Sequence, residues 1–381
     1  MSYIHRTIEA NILKYLRPNK AVVLLGARRV GKTKLVESII KQVDEPHLIL
    51  NGDDQDTLNI LAEKSRVNYE RLLGKIRFLV IDEAQEIPDI GSKLKLMVDS
   101  IEGLKILVTG SSVLDLNNNV GEPLVGRKMT FHLYPFSQTE LSTKENYLET
   151  VQNLETRLIY GTYPELEFLS TLQEKSVYLN EIINSYLLKD VLAYEGIQRR
   201  EKIVSLLRII AYRVGSEISV ESIGNELGIS KNTVDKYLDL LSKVFIIKKV
   251  SGFSRNLDNE ITKKAKWYFF DNGIRNAIIS NFNRLELRDD QGKLWENYLI
   301  SERLKKQEYS LDYSANYFWR THSKQEIDWI EERDGGLKAF ELKWSKKGKA
   351  KEPFAWKKGY PDSIFEVIDR SNYLDFIIDE K

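Results

Sequence analysis

The stretch Gly26-Ala27-Arg28-Arg29-Val30-Gly31-Lys32-Thr33 decides the fold of the N-terminal region. It fits the phosphate-binding pattern G-x-x-x-x-G-K-[S/T], follows a strand predicted at Ala21–Leu25 and opens an amphipathic helix predicted over Lys32–Val43. The amides of such a loop surround phosphates, and the helix N-terminus adds a favourable dipole. We therefore predict that this stretch and Lys34 bind nucleotide, with Lys32 reaching the β- and γ-phosphates and the Thr33 hydroxyl binding Mg²⁺. The alternative is a Gly-Lys-Thr that occurs by chance in a turn.

Short apolar runs alternate with amphipathic helical patterns from Ala21 to Ser112. Four of the runs are predicted to be strands buried on both faces, namely Ala21–Leu25, His47–Leu50, Phe78–Ile81 and Ile106–Thr109. Buried strands separated by helices are typical of a parallel sheet. The N-terminal region is therefore predicted to be an α/β domain.

Polar residues follow two of these strands at the edge where α/β sheets bind ligands. Asp82 is predicted to hold Mg²⁺, and Glu83 to polarise the attacking water. This second acid favours ATP over GTP, because a GTPase tends to lack it. Thr109 and Ser112 end the next strand and are predicted to sense the γ-phosphate, although a simple turn is the alternative.

Composition limits the remaining possibilities. The chain has 381 residues, with 57 Lys and Arg against 56 Asp and Glu, so its net charge is +1. This balance excludes a charge-driven nucleic-acid binder, although a local basic patch remains compatible with it. The absence of cysteine excludes disulfides, thiolate zinc sites and cysteine nucleophiles, and suits a reducing cytoplasm. No apolar run approaches the ~20 residues that a membrane helix needs. We expect a cytoplasmic protein without a membrane partner.

Several motifs together resemble the AAA-superfamily ATPases of bacteria and archaea that carry a C-terminal domain of uncharacterised function. The motifs are the loop quoted above, Ile81-Asp-Glu-Ala-Gln85, Thr109-Gly-Ser-Ser112, Leu124-Val-Gly-Arg127, Leu133-Tyr-Pro-Phe-Ser137, Tyr160-Gly-Thr-Tyr-Pro164 and Trp267-Tyr-Phe-Phe-Asp-Asn-Gly273. The resemblance covers essentially the whole chain and implies a C-terminal half that combines a winged helix with a restriction-endonuclease-like fold. It also implies that Arg127 is an arginine finger. The alternative for Arg127 is a surface pair with an acidic neighbour.

The periodicity of apolar residues changes twice along the chain and predicts three domains. Residues 1–150 form the P-loop AAA-type ATPase domain. Residues 151–250 are helical because their apolar spacing is mainly three and four, and they include the winged helix. Residues 251–381 form an α+β domain, which the resemblance makes restriction-endonuclease-like, with one clear helix at Gly292–Lys306.

A helix-turn-helix is predicted near the end of the middle domain. Ser219–Gly228 is a short helix ended by glycine, and Ser230 caps the next helix, Lys231–Lys243. Strands at Phe245–Val250 and Lys266–Phe270 are the candidate wing. If the unit binds DNA, the start of the second helix enters the major groove, and the predicted contacts are Lys231, Asn232, Thr233 and Lys236. A protein-docking or linker module is the alternative.

A hairpin in the C-terminal domain is predicted to carry paired carboxylates. With a two-residue turn at Asp334-Gly335, Asp328 lies opposite Glu341 and Glu326 lies opposite Lys343. Asp328, Glu341 and Lys343 then project from one face. Facing carboxylates repel each other unless a cation intervenes, and oxygen ligands suit Mg²⁺, so a divalent metal site is predicted.

This pattern, Asp followed by Glu-x-Lys, resembles that of restriction-endonuclease-like nucleases. Their upstream helical glutamate corresponds to Glu296, an additional predicted metal ligand. The catalytic residues predicted here are Asp328, Glu341 and Lys343, and a lysine run is predicted to bind phosphate backbone through Lys343, Lys346, Lys347, Lys349 and Lys351. A solvated hairpin with an ordinary Glu326–Lys343 pair is the alternative.

Two functions agree with these features. The first is an ATPase that uses ATP and Mg²⁺ and couples hydrolysis to DNA binding or processing. The second is an ATP-switched regulator or scaffold whose C-terminal half is an inactive binding module. DNA, a protein partner and a homo-oligomer all remain open as partners.

Overall fold

A five-stranded parallel sheet forms the N-terminal region in the computed structural model, which describes residues 3–111, 124–187, 191, 200–254, 265–321, 323–345 and 351–378. Its spatial order is β2-β3-β4-β1-β5, and every pair is parallel. The strands are β1 Lys20–Leu25, β2 His47–Asn51, β3 Phe78–Asp82, β4 Lys105–Gly110 and β5 Lys128–His132. The prediction of a parallel α/β sheet is confirmed.

The four predicted strands begin and end within one residue of the observed bounds, but two details differ. The prediction that β2 is buried on both faces is wrong, since Ile49 is half exposed. The reason is that β2 lies at the sheet edge and pairs only with β3. The opposite edge strand, β5, was not predicted, because Lys128–His132 is a short, partly polar segment in which only Phe131 is buried.

One helix precedes these strands and others connect them. Within the described residues they are α1 Glu9–Tyr15, α2 Lys32–Val43, α3 Gln55–Ile60, α4 Arg66–Leu73 and α5 Ile90–Ser100. Helix α2 has the predicted bounds, and its apolar face buries Leu35, Val36 and Ile39. Its N-cap, Gly31, has φ 95°, a conformation that glycine adopts without steric cost.

A second sheet has seven strands in the order β12-β11-β10-β9-β7-β8-β6. They are β6 Glu217–Ile218, β7 Ile247–Gly252, β8 Ala265–Phe269, β9 Ala315–Arg320, β10 Glu326–Arg333, β11 Gly336–Leu342 and β12 Ile364–Ile368. β6–β8, β8–β7, β9–β10 and β10–β11 are antiparallel, whereas β7–β9 and β11–β12 are parallel. One sheet thus contains strands from the predicted middle and C-terminal regions.

The helices around this sheet include both members of the predicted helix-turn-helix. In chain order the described helices are α6 Gln138–Leu141, α7 Tyr147–Tyr160, α8 Leu172–Glu181, α9 Arg200–Tyr212, α10 Val220–Leu227, α11 Lys231–Lys243, α12 Asn272–Ile278, α13 Gln291–Tyr309, α14 Phe354–Gly359 and α15 Tyr373–Ile377. Gly228 ends α10 with φ 64°, and the Ser230 hydroxyl accepts from the Thr233 amide at 3.2 Å. None of the described helices is long and apolar enough to cross a membrane.

Contacts divide the described chain into two compact units. Unit 1 runs to Tyr134 and includes Lys243–Phe245, and unit 2 comprises Pro135–Ser242 and the residues from Ile246 onward. The phosphate-binding loop belongs to unit 1, and the predicted carboxylate pair belongs to unit 2. The division into three domains at residues 150 and 250, with a winged helix and a restriction-endonuclease-like domain, stays a prediction.

Candidate functional site

The phosphate-binding loop joins β1 to α2 and is closely packed at its first glycine. A Cβ atom on Gly26 would lie 2.3 Å from the carbonyl oxygen of Leu133, so only glycine fits there. Ala27 and Val30 are buried, and Arg29 has φ 66°. The Lys32 side chain is buried and donates to the carbonyls of Gly26 at 2.9 Å and Ala27 at 3.2 Å. Its ammonium group therefore lies inside the loop, where nucleotide phosphates bind in proteins of this pattern.

The predicted Mg²⁺ ligands of unit 1 lie next to each other. The exposed Thr33 hydroxyl donates to Asp82 Oδ2 at 3.1 Å. The buried Thr109 hydroxyl donates to Asp82 Oδ1 and accepts from the Glu83 amide at 3.1 Å. A hydroxyl and a carboxylate are the oxygen donors that Mg²⁺ prefers, so these residues fit the ion that the pattern implies. The Thr109 hydroxyl therefore contacts both acidic residues, and its role as a γ-phosphate sensor stays a prediction.

Glu83 is held in a constrained geometry beside this pair. Its backbone is left-handed, with φ 48°, a region that non-glycine residues rarely adopt except where the fold demands it. Gln85 donates through Nε2 to Glu83 Oε2 at 2.5 Å, and its Oε1 accepts from the Ser111 amide at 3.3 Å. Gln85 therefore ties the carboxylate of Glu83 to the end of β4.

The structure places the other predicted residues of unit 1 as follows. The exposed Lys34 pairs with Glu37 at 2.9 Å on the surface of α2. Arg28 lies near Glu86, whose pKa is raised by burial and by Asp53 and lowered by Arg28. Ser112 lies outside the described residues.

Arg127 lies away from the nucleotide loop of its own chain. It precedes β5 and therefore lies at the amino-terminal edge of the parallel sheet, opposite the edge that carries the loop. Its Nε donates to Asp99 Oδ1 in a half-exposed pair. Arg127 therefore has the surface pair that was its alternative interpretation, and its role as an arginine finger stays a prediction.

The hairpin of unit 2 has the predicted register. Trp329 pairs with Phe340, and the ladder continues with the same offset to Arg333 and Gly336. Asp334 and Gly335 form the two-residue turn with φ 51° and 79°, the left-handed pair that a tight Asp-Gly hairpin requires. Asp328 Oδ2 accepts from the Leu342 amide at 2.9 Å.

This register brings the predicted site residues of unit 2 into one open cavity of about 470 Å³. The lining includes Glu296 from α13, Asp328 from β10, Glu341 from β11 and Lys343 just after β11. Lys343 pairs with Glu341, and Glu326 pairs with other cations, so the ordinary Glu326–Lys343 pair is not formed. Two exposed lysines, Lys293 and Lys324, complete the rim of the cavity. Lys346, Lys347 and Lys349 of the lysine run lie outside the described residues, whereas Lys351 is exposed.

A lysine that sequence reasoning missed lies among the carboxylates. Lys266 of β8 has a side chain only 3% exposed, and its Nζ lies 2.6 Å from Glu326 Oε1 and 3.5 Å from Glu296 Oε1. Burial alone would lower the pKa of Lys266, but Glu296, Asp328 and Glu326 raise it, so this lysine stays charged. Lys266 thus contacts Glu326 and Glu296, which flank the predicted Asp328–Glu341 pair in the same cavity. Its only signal in the sequence was a lysine inside the apolar strand Ala265–Phe269.

Burial is the main cause of the raised pKa values of three carboxyl groups in this cavity. It raises the pKa of Glu296 to about 7, with Lys266 and a 2.6 Å hydrogen bond from Tyr268 acting against it and Asp328 adding to it. Burial also raises the pKa of Asp328. The pKa of Glu341 is raised by burial and then by the negative charge of Asp328. Because Asp328 raises the pKa of both glutamates, the two lysines that contact the acids do not remove the repulsion among them.

The donor set of the cavity fits a divalent cation held by few protein ligands. Glu341 Oε2 is buried and has no hydrogen-bond partner. In the described part of the chain, no three Asp, Glu, His or Cys side chains form a metal cage. Mg²⁺, however, is commonly held by one or two carboxylates and completes its shell with water or phosphate oxygens. Asp328 and Glu341 meet that requirement.

The predicted DNA-contacting residues lie together at the start of α11. Lys231, Asn232 and Lys236 are exposed, whereas the Thr233 hydroxyl lies 2.8 Å from that of Ser230. The short strand β6 precedes α10, and the antiparallel pair β7–β8 follows α11. The bounds of β7 and β8 lie within two residues of those of the strands predicted as the wing. Asp235 is exposed on the same helix.

Three family models match successive segments of the chain. Residues 18–142 match the model described as an AAA domain. Residues 151–285 and 291–366 match two domains of unknown function, DUF8612 and DUF4143. Together with the parallel sheet and its phosphate-binding loop, the first match supports an AAA-superfamily ATPase, and an AAA domain implies ATP binding. The C-terminal region expected from the resemblance is present, and its description states neither a fold nor an activity.

Relatives of this chain include uncharacterized proteins of distant organisms. One from Methanocaldococcus jannaschii is 24% identical over 346 residues, covering 86% of this chain and 74% of the relative. One from Mycobacterium tuberculosis is 24% identical over 344 residues, covering 89% and 73%. Among solved structures, the RuvB Holliday junction branch migration motor of Thermotoga maritima is 17% identical, covers 61% of this chain and 82% of that chain, and has a TM-score of 0.30. A TM-score at this level does not establish a common fold.

Proposed function

We propose that the protein is a Mg²⁺-dependent ATPase whose unit 2 binds and processes DNA at the cavity of Asp328 and Glu341. The observation that carries the DNA-processing part is the hairpin register, since it brings Asp328, Glu341 and Lys343 into the cavity that Glu296 also lines. The ATPase part is supported by the loop, its buried lysine and the contact of Thr33 with Asp82.

In the ATPase site, each residue has a chemical task. Lys32 exchanges the Gly26 and Ala27 carbonyls for phosphate oxygens of the nucleotide. Thr33 and Asp82 would hold Mg²⁺, which would neutralise phosphate charge. Glu83 accepts a proton from the attacking water, and Gln85 keeps its carboxylate oriented.

In unit 2, the cavity combines an acidic floor with a basic rim. Asp328 and Glu341 would hold a divalent cation, which would supply an activated water and stabilise charge on a phosphate. Lys343 stabilises the negative charge that develops during cleavage of a phosphodiester. The exposed Lys293 and Lys324 attract the nucleic-acid backbone.

Two variants test the two halves of this proposal. Lys32→Ala removes the charge that binds the phosphates and is expected to abolish ATP binding without unfolding the protein. Glu341→Ala is expected to abolish Mg²⁺- or Mn²⁺-dependent cleavage of supercoiled plasmid DNA, whereas Glu366→Ala, an exposed acid on β12, is expected to cleave like wild type. ATP affinity in Lys32→Ala equal to that of wild type would overturn the ATPase assignment.

A second function is favoured by a specific observation. Lys266 and Lys343 already contact three of the four carboxylates at the cavity, which is the arrangement of a site stabilised without metal. In that case unit 2 is an ATP-switched module that binds DNA through α11 or through the basic rim of the cavity. Wild-type protein that binds DNA but leaves plasmid intact with either metal would select this function.

A homo-oligomer is the third part of the proposal. Arg127 lies at the sheet edge opposite its own loop, so it could contact nucleotide only in a neighbouring copy. Size-exclusion chromatography with ATP and with a non-hydrolysable analogue tests nucleotide-dependent assembly. A single monomeric peak under both conditions would leave Arg127 as a surface residue paired with Asp99.

A further inference from the structure

A buried arginine from the N-terminal segment contacts the phosphate-binding loop. Arg6 is only 4% exposed. Its Nη1 donates to the carbonyl of Val30 at 2.8 Å, and its Nη2 donates to the carbonyl of Tyr134 at 2.5 Å. The planar guanidinium holds these two donors in a fixed geometry, so Arg6 fixes the position of the Val30 carbonyl relative to the Tyr134 carbonyl.

The contact with Val30 orients the next amide of the loop. The Val30–Gly31 peptide bond is trans and planar, so the Val30 carbonyl and the Gly31 N–H point in opposite directions. Because the carbonyl points to Arg6, the Gly31 amide points away from Arg6. Loops of this pattern bind phosphates through amides that point into the loop. Without Arg6, the Val30 carbonyl would lack this anchor, and the peptide would be free to rotate.

The start of the loop is held by Leu133, the residue before Tyr134. Leu133 donates to the carbonyl of Leu25 at 2.7 Å and approaches Gly26 so closely that no Cβ fits there. Leu133 thus contacts the start of the loop directly, and its neighbour Tyr134 is joined to the end of the loop by Arg6. The loop is held at both ends by one segment of chain.

The segment that carries Arg6 is itself firmly anchored. Ile4, Ile8 and Ile12 are buried on either side of it. The buried Glu9 accepts a hydrogen bond from the Ser38 hydroxyl of α2 at 2.5 Å. Arg6 therefore starts from a fixed backbone, as a residue that positions a binding loop must.

We propose that Arg6 is a positioning residue that keeps the phosphate-binding loop in the shape that accepts the phosphates of a nucleoside di- or triphosphate. The inference rests on the proposed nucleotide binding at this loop. It assigns Arg6 no contact with the nucleotide. Its effect should therefore appear in the binding of phosphates, with or without an attached nucleoside.

The test compares Arg6→Met with Arg17→Met, a change at an exposed arginine of the same N-terminal segment that donates to the Lys14 carbonyl. Calorimetric titration with MgATP, MgADP and inorganic triphosphate measures the affinity, and far-ultraviolet circular dichroism measures folding. Hydrogen bonds from charged donors commonly contribute enough for a loss of about tenfold or more. Arg6→Met is expected to weaken all three ligands by this factor, and Arg17→Met to bind like wild type.

The outcomes separate the inference from the proposed function. Wild-type affinity in Arg6→Met, while Lys32→Ala no longer binds, would overturn the role of Arg6 alone. Wild-type affinity in Lys32→Ala would overturn the nucleotide site itself. If Arg6→Met does not fold, Arg6→Lys decides, because lysine keeps the charge but not the fork. An intermediate loss of affinity supports the proposal, and wild-type affinity in Arg6→Lys refutes it.

Discussion

Single side chains next to the phosphate-binding loop are held in place by hydrogen bonds from other residues. Glu83 has a left-handed backbone, and Gln85 holds its carboxylate through a 2.5 Å hydrogen bond. Thr109 similarly supports Asp82 from the neighbouring strand. An acid held in this way is oriented before nucleotide arrives, which lowers the cost of reaching a reactive geometry.

The first prediction at the residue scale concerns Glu83. Glu83→Gln preserves the shape and the contact with Gln85 but removes the proton acceptor. Loss of a general base commonly reduces the rate by roughly 10²–10⁴-fold, so we expect hydrolysis to fall by that factor while ATP binding persists. Phosphate release and ATP titration on the same sample measure both quantities. Turnover at the wild-type rate would assign the base to another residue.

The second prediction at this scale concerns pH. Burial raises the pKa of Glu296 from its ordinary value of 4.5 to about 7. Between these values the folded state binds more protons than the unfolded state, so this group makes the free energy of unfolding decrease as pH rises. In chelator-treated protein, urea unfolding at pH 5, 6 and 7 should show this decrease. Glu296→Gln should flatten it, and equal slopes in both proteins would contradict the shift.

At the scale of elements, the β10–β11 hairpin determines which residues meet in the cavity. Side chains alternate between the two faces of a strand, so a slip of one residue would send Asp328 or Glu341 to the other face. The two-residue turn at Asp334-Gly335 prevents that slip, since both residues adopt the left-handed conformation. A turn of two residues thereby determines which side chains of the hairpin line the cavity.

We expect Gly335→Ala to destabilise this hairpin. Gly335 has φ 79°, where a Cβ costs roughly 1–2 kcal/mol, and the free energy of unfolding should fall by about that amount. Gly336→Ala is the matched control, because Gly336 is outside the positive-φ region and an added Cβ there meets only an ordinary 3.4 Å contact. Equal losses in urea unfolding of the two variants would show that the turn conformation is not the cause.

At the scale of the whole molecule, Lys266 joins parts of unit 2 that are distant in the sequence. It lies on β8 and contacts Glu326 on β10 and Glu296 on α13. Strands β8 and β10 belong to the sheet that combines strands from the predicted middle and C-terminal regions. The buried ammonium balances carboxylates that would otherwise repel each other.

Lys266→Met is therefore expected to destabilise unit 2 strongly. Methionine preserves much of the length of the side chain but leaves buried carboxylates without their counter-charge, a change that typically costs about 3–5 kcal/mol. Lys249→Met removes an exposed lysine from the adjacent strand β7 and should change the free energy of unfolding little. Similar urea midpoints for both variants would mean that the carboxylates are neutral or solvated without Lys266.

Interactions between neighbours in the chain could be predicted from the sequence. The loop, the bounds of α2 and α11, and the offset of the hairpin depend on glycine conformations, caps and periodicities that each lie within a few residues. The alternation of buried strands with helices along the chain likewise predicted the parallel sheet. These features share one cause, which is that backbone geometry and local burial are properties of short segments.

Contacts between distant segments were decided only by the tertiary structure. Lys266 is the first residue of a predicted wing strand, and nothing near it in the sequence indicates Glu326 or Glu296 as partners. The position of Arg127 beside Asp99, and of Arg6 between Val30 and Tyr134, likewise depends on how separate elements pack. The physical reason is that the sequence gives the charge and the hydrogen-bonding groups of a side chain but not its partner. The partner is the opposite charge or carbonyl that folding brings within about 3 Å.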